Sequence, residues 1–72
     1  MNREYLIAKS ILKDLKYRYK FVLTEEEIMI NHNCTREVAK KVLESVEKYL
    51  GKSFEIAKGN GFIAGKRKEW LK

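Results

Sequence analysis

Residues 23–65 read LTEEEIMINHNCTREVAKKVLESVEKYLGKSFEIAKGNGFIAG, and this stretch decides the fold. It opens with Thr24 followed by three glutamates. Thr24 and Glu27 have the spacing of a capping box, and Leu23 before the cap can pack on Ile28 in the first turn. Negative side chains at a helix start also complement the helix dipole. The sequence therefore predicts a helix that begins immediately after Thr24.

The next segment predicts a tight turn and a longer helix. The Asn-His-Asn sequence at 31–33 tolerates left-handed backbone and ends the first of these helices after about two turns. Thr35 then caps a helix that extends to Leu50, with Gly51 as the expected C′ residue. At about 100° per residue, the apolar side chains fall in one arc and the charged ones in the other. One face of this helix belongs to the core, and the other is free for a partner.

Beyond this helix the hydrophobic period changes to two, which predicts a β-hairpin. With Gly59-Asn60 as the two-residue loop, Ile56 would face Ile63. With Asn60-Gly61 as the loop, a type I′ turn would instead place Lys58 opposite Ile63. We favour the first register because it pairs two apolar side chains.

The chain before this stretch predicts an amphipathic helix from about Asn2 to Tyr19. This helix has more aromatic side chains than one small core needs: Tyr5, Tyr17 and Tyr19. It is therefore a candidate for contact with a second copy of the chain. The apolar segment 21–23 that follows could be a brief strand or an extended connector.

The chain after this stretch, residues 66–72, is a basic segment that ends near Trp70 and Leu71. It could be a frayed tail or a short docking helix.

Composition limits the classes of function. With 72 residues there is room for one small domain, and the net charge of +6 favours a polyanionic partner. Cys34 is the only cysteine, which fits a reducing compartment and makes the cytoplasm the expected location. No segment has the length of a membrane span or the pattern of a signal peptide. We find no catalytic constellation, metal site, cofactor motif or small-molecule site, and the lone His32 lacks ligand companions.

The order of helix, short extended segment, capped helix, tight turn, capped helix and hairpin resembles that of winged helix-turn-helix domains. The resemblance covers roughly residues 23–64 and is greatest to bacterial and archaeal regulators of the GntR type. It is carried by Leu23 with residues 24–28, Thr35-Arg36, Ala39, Val42-Leu43, Val46 and residues 59–63. It implies a small α+β fold of three helices and a two-stranded hairpin wing. The expected parts are an N-terminal helix at 1–20, a helix-turn-helix at 24–50, a wing at 53–65 and a basic tail at 66–72.

The resemblance also implies a function. The expected protein is not an enzyme; it binds double-stranded DNA in a sequence-specific way and regulates transcription, as a homodimer through its N-terminal helix. The third helix would enter the major groove, and the wing would meet the backbone or minor groove. The candidate DNA-binding residues are Thr35, Arg36, Glu37, Lys40, Lys41, Lys58 and Asn60. Two alternatives stay open: a protein-interaction module that uses this surface and Trp70, and a domain that binds structured RNA.

Overall fold

The computed structural model describes residues 2–68, which form a small α+β domain of three helices and a three-stranded antiparallel sheet. The elements in chain order are α1 (Arg3–Leu15), β1 (Lys20–Thr24), α2 (Glu25–His32), α3 (Arg36–Leu50), β2 (Phe54–Gly59) and β3 (Phe62–Arg67). The α+β class is confirmed. The predicted two-stranded sheet was wrong in its strand count, because segment 21–23 is a strand that pairs with β3.

Helix α1 is shorter than predicted. Asn2 caps it, its side chain accepting a hydrogen bond from the backbone N–H of Glu4 at 2.8 Å. The helix ends at Leu15 and not near Tyr19, because β1 begins at Lys20 and its pairing with β3 draws the chain out of the helix. The expectation that this helix extends to about Tyr19 was therefore wrong.

The predicted starts of α2 and α3 are confirmed. Thr24 forms both bonds of the capping box: its hydroxyl accepts from the Glu27 N–H at 3.0 Å, and its own N–H donates to the Glu27 carboxylate at 3.4 Å. Helix α2 ends at His32 and is capped by Asn33, whose φ of 52° lies in the left-handed region. Helix α3 ends at Leu50 as predicted, but Gly51 has right-handed backbone, with φ of −59°.

The sheet has the strand order β1-β3-β2, so the last of the three described strands lies in the middle. The hairpin between β2 and β3 turns at Asn60-Gly61, and Lys58 lies opposite Ile63. The register that we favoured was therefore wrong. The apolar partner of Ile63 comes instead from β1, where Leu23 lies opposite it. The turn is not type I′, which needs positive φ at both central residues; only Gly61 has it, at 86°.

The core lies between the helices and one face of the sheet. Ile7 and Ile11 of α1 and Val42 of α3 are buried there. From the sheet, Phe21 and Phe54 meet edge to face with ring centroids 5.3 Å apart. Gly65 permits this arrangement, because a Cβ at that position would lie 2.4 Å from the Phe21 ring. This packing leaves two surfaces outside the core, the outer side of α3 and the opposite face of the sheet.

Candidate nucleic-acid interface

The outer side of α3 carries charged side chains along its N-terminal half. Arg36, Glu37, Lys40 and Lys41 are all exposed. Thr35 precedes them, and its hydroxyl accepts a hydrogen bond from the Val38 N–H at 3.3 Å, so its observed role is to cap the helix. The structure therefore brings the candidate residues of this helix together on one solvent-facing surface.

Arg36 does not stand alone on that surface. Its Nη1 donates to Oε1 of Glu25 at 2.7 Å, and Glu25 is only 6% exposed. The backbone N–H of Glu25 in turn donates to the carbonyl of Gly61 at 2.9 Å. Glu25 thus joins the starts of α2 and α3 to the hairpin turn. From the sequence alone Glu25 could be related only to the helix dipole, because no local pattern relates it to a residue in the next helix.

The two candidate residues of the hairpin lie in different places. Asn60 is exposed at the turn and, with Arg36 and Gly61, lines a shallow hollow of about 270 Å³. Lys58 lies on the helix side of the sheet, like the buried Ile63 opposite it. Its Nζ is 3.6 Å from Oε1 of Glu47 on α3. The structure therefore brings Asn60 close to Arg36, while Lys58 lies farther along α3.

We call the surface formed by α3, the start of α2 and the hairpin turn the α3–hairpin surface. Its basic and acidic side chains are nearly equal in number: Arg36, Lys40, Lys41, Lys48 and Lys58 against Glu25, Glu26, Glu27, Glu37, Glu44 and Glu47. Lys41 also has an acidic neighbour on α1, with its Nζ 3.8 Å from Oε2 of Glu4. A balanced surface exerts little long-range attraction on a polyanion, so binding here depends on directed hydrogen bonds.

Arg3 is a cation that maintains the fold. Its Nη2 donates to the carbonyls of His32 at 2.5 Å and Asn33 at 2.8 Å, the backbone groups at the end of α2. Helix ends leave such carbonyls without partners inside the helix, so an arginine from α1 stabilises the end of α2.

Arg67 has the same role at the end of α1. It was expected in the basic tail but is the last residue of β3. Its Nη2 donates to the carbonyls of Lys16 at 2.6 Å and Arg18 at 3.0 Å, and its guanidinium lies 4.5 Å from the centre of the Phe54 ring. The sequence pattern gave no sign of these contacts, because they join residues about fifty positions apart.

The part of the chain that the structure describes gives little evidence for a metal site or a membrane span. Within residues 2–68, no group of three His, Cys, Asp or Glu side chains is placed to hold a metal ion. The Cys34 thiol is half-buried, 3.7 Å from the Ile28 carbonyl. None of the helices between Asn2 and Lys68 is both long and apolar enough to cross a membrane. The predicted role of Trp70 falls outside the described residues.

Comparison with known proteins found no matching family model, curated protein or solved structure. The fold and the surfaces of the protein are therefore the grounds for a function.

Proposed function

We propose that this chain is a winged helix-turn-helix protein that binds double-stranded DNA in a sequence-specific manner and regulates transcription in the cytoplasm. The observation that carries the proposal is the exposed, charged N-terminal half of α3 with the hairpin turn beside it. An α-helix fits the major groove of B-DNA, and residues at its N-terminus reach the base edges. The element order and the strand order β1-β3-β2 support the same proposal.

In this proposal Arg36 reads a base. Its side chain stays 53% exposed although Glu25 holds Nη1. The Glu25 carboxylate therefore limits the directions in which the guanidinium can point, and Nε and Nη2 form the edge that can bond a guanine at two points. Glu37 can accept from cytosine, and Lys40 and Lys41 can bond guanine or phosphate.

Thr35 and the hairpin turn position the protein on the duplex. The Thr35 hydroxyl lies at the N-terminus of α3, where backbone N–H groups also favour a phosphate. Asn60 at the exposed turn would meet the minor groove or the backbone, and Lys58 would add a phosphate contact once released from Glu47.

We also propose that the protein acts as a homodimer through α1. Tyr5 of α1 and Tyr49 of α3 are 52% and 64% exposed and line one shallow hollow. Tyr49 lies nine residues after Lys40, which at about 100° per residue places it on the opposite side of α3. A dimer through these tyrosines would leave the groove-facing residues free. Sedimentation at tens of micromolar tests this, because a monomer there would contradict it.

Fluorescence anisotropy with random-sequence duplex DNA and with duplex RNA, across a salt series, tests the function. A sequence selected from a random pool should then bind more tightly than the random duplex. Arg36→Ala and Lys40→Ala should each weaken selected-site binding by about 1–3 kcal/mol and random-duplex binding far less. Lys58→Ala should weaken both alike, and Lys13→Ala on α1 serves as the matched control. Equal losses for both duplexes from Arg36→Ala would contradict its role in base recognition.

The second candidate is a protein-interaction module that uses the same surface. The balance of charge on the α3–hairpin surface favours it, as does Ile30, an apolar side chain on α2 that is 79% exposed. Binding to DNA through several cations must weaken steeply with salt, whereas contact with a protein through an apolar side chain depends on salt far less. Failure to bind any nucleic acid at low salt would favour this candidate.

A further inference from the structure

The outward face of the sheet is open, and positive charge accumulates at one end of it. Phe21, Ile63 and Gly65 face the core, so the alternate residues of these strands point to the opposite side. We call that side the open sheet face and define it by Lys20, Val22, Glu55, Ala57, Ala64 and Lys66. Together with Arg18, these residues line a shallow hollow of about 730 Å³. This face lies outside the surface assigned to duplex DNA.

The residues of the open sheet face form two rows across the strands. In the first, Lys20 lies opposite Lys66, and Lys66 lies opposite Glu55. Like charges directly opposite each other destabilise a sheet, and Glu55 lies beside Lys66 only, so Lys20 has no acidic partner in this row. In the second row, Val22, Ala64 and Ala57 are aligned and give a flat apolar strip. A charged row thus lies beside an apolar one.

The turn between α1 and β1 extends the charged row and adds exposed aromatic rings. Lys16, Arg18 and Lys20 alternate there with Tyr17 and Tyr19. The Tyr17 side chain is 86% exposed, and Lys16 Nζ lies 5.5 Å from its ring centre. Lys66 Nζ lies 5.9 Å from the ring centre of Tyr19. Cations beside exposed rings are the combination that binds bases by stacking and phosphates by charge.

We propose that the open sheet face and the α1–β1 turn form a second binding site, whose ligand is single-stranded nucleic acid. Arg18, Lys20 and Lys66 contact the phosphates, Tyr17 stacks on a base, and the apolar strip receives another. A duplex offers phosphates and base edges but no free base faces, because its bases are stacked inside, and it would leave the strip and Tyr17 uncovered. A peptide of Asp and Glu residues supplies charge but no flat rings. A single strand supplies both.

The probes are fluorescein-labelled oligothymidylate and oligouridylate of about 12 nucleotides, a length within the site sizes known for comparable grooves. Anisotropy titration of the full chain with each, across a salt series, should show salt-sensitive binding to at least one. The two probes distinguish DNA from RNA as the natural strand. The double substitution Lys20→Ala/Lys66→Ala should weaken that binding roughly tenfold and lower its salt slope by about 1.4, since it removes two phosphate contacts.

Two matched controls separate this site from the α3–hairpin surface. Lys40→Ala/Lys41→Ala removes the same charge from α3 and should change single-strand affinity by less than about twofold. Tyr17→Phe keeps the ring and should bind like the original chain, whereas Tyr17→Ala should lose roughly tenfold. Tyr17 is exposed, so neither variant should disturb the fold, which circular dichroism checks.

Three outcomes would overturn the proposal. The first is the absence of salt-sensitive binding to either probe. The second is an equal loss of single-strand affinity from the two double substitutions. The third is displacement of the probe by polyglutamate at matched charge. The last would indicate an acidic protein as the ligand. If the original chain bound the single-stranded probes but no duplex, only the proposed function would be overturned. If it bound duplex DNA but neither single-stranded probe, only this second site would be overturned.

Discussion

The α3–hairpin surface and the open sheet face differ in how their charges are arranged. On the first, Arg36, Lys41 and Lys58 each lie within 4 Å of a carboxylate. On the second, Lys20 and Lys66 lie opposite each other across two strands. The net charge of +6 therefore does not locate a polyanion site by itself. The charged face of α3 is close to electrostatic balance, whereas the row of Lys20, Lys66 and Glu55 across the sheet has one positive charge in excess.

The largest expected effect on stability comes from a substitution in β1, one of the strands that form the open sheet face. Phe21→Ala deletes a buried ring that packs on Phe54 and over Gly65, and it should lower the free energy of unfolding by about 3–5 kcal/mol. Urea denaturation followed by circular dichroism measures this. Val22→Ala in the same strand is the control, because Val22 is 64% exposed and its truncation should cost less than about 1 kcal/mol. Similar losses from both would show that β1 is not packed as described.

A smaller effect separates the two kinds of ion pair on the α3–hairpin surface. Arg36→Ala leaves the buried Glu25 carboxylate without its partner, which should cost about 1–3 kcal/mol of unfolding free energy. Lys41→Ala breaks its more exposed pair with Glu4 and should cost a few tenths of a kcal/mol. Denaturant titration of both variants in one buffer gives the comparison. If Arg36→Ala cost no more than Lys41→Ala, the Arg36–Glu25 pair would not stabilise the fold more than an exposed ion pair does.

The smallest expected effect has opposite signs on the two surfaces. Lys20→Gln removes a like charge opposite Lys66 and should raise the free energy of unfolding by a few tenths of a kcal/mol. Lys58→Gln removes a partner of Glu47 and should lower it by a similar amount.

Thermal unfolding at low and high salt measures both shifts, and each should shrink as salt screens the charges. If both substitutions changed the free energy of unfolding in the same direction, the two surfaces would not differ in how their charges are arranged. Shifts that do not depend on salt would show that the changes are not electrostatic.

The parts of the fold that the sequence predicted are those set by neighbouring residues. The Thr24 capping box spans four positions, and the apolar residues of α3 recur every three or four residues. Both patterns can therefore be recognised without knowledge of the rest of the chain. Asn33 ended α2 for an equally local reason, since it tolerates left-handed backbone.

The parts that the sequence did not predict arise from distant pairings. Leu23 lies opposite Ile63, so β1 pairs with β3 and becomes the third strand of the sheet. Ile63 thus has an apolar partner in β1, and the hairpin does not need the register that pairs it with Ile56. The partner of Arg36 comes from another helix, so its local sequence gave no sign that Glu25 holds one edge of the guanidinium. The open sheet face has no sequence signature either, since Lys20 and Lys66 become neighbours only in the folded sheet.

The position of β3 in the middle of the sheet has a consequence for synthesis of the protein. Both outer strands need β3 as their hydrogen-bonding partner, and β3 is the last of these three strands to leave the ribosome. Arg67 at its end also binds the carbonyls that follow α1. Helices α1 to α3 can collapse together early, but β1 stays unpaired until residues 62–67 emerge. The domain therefore completes its sheet in one late step, after translation has passed β3.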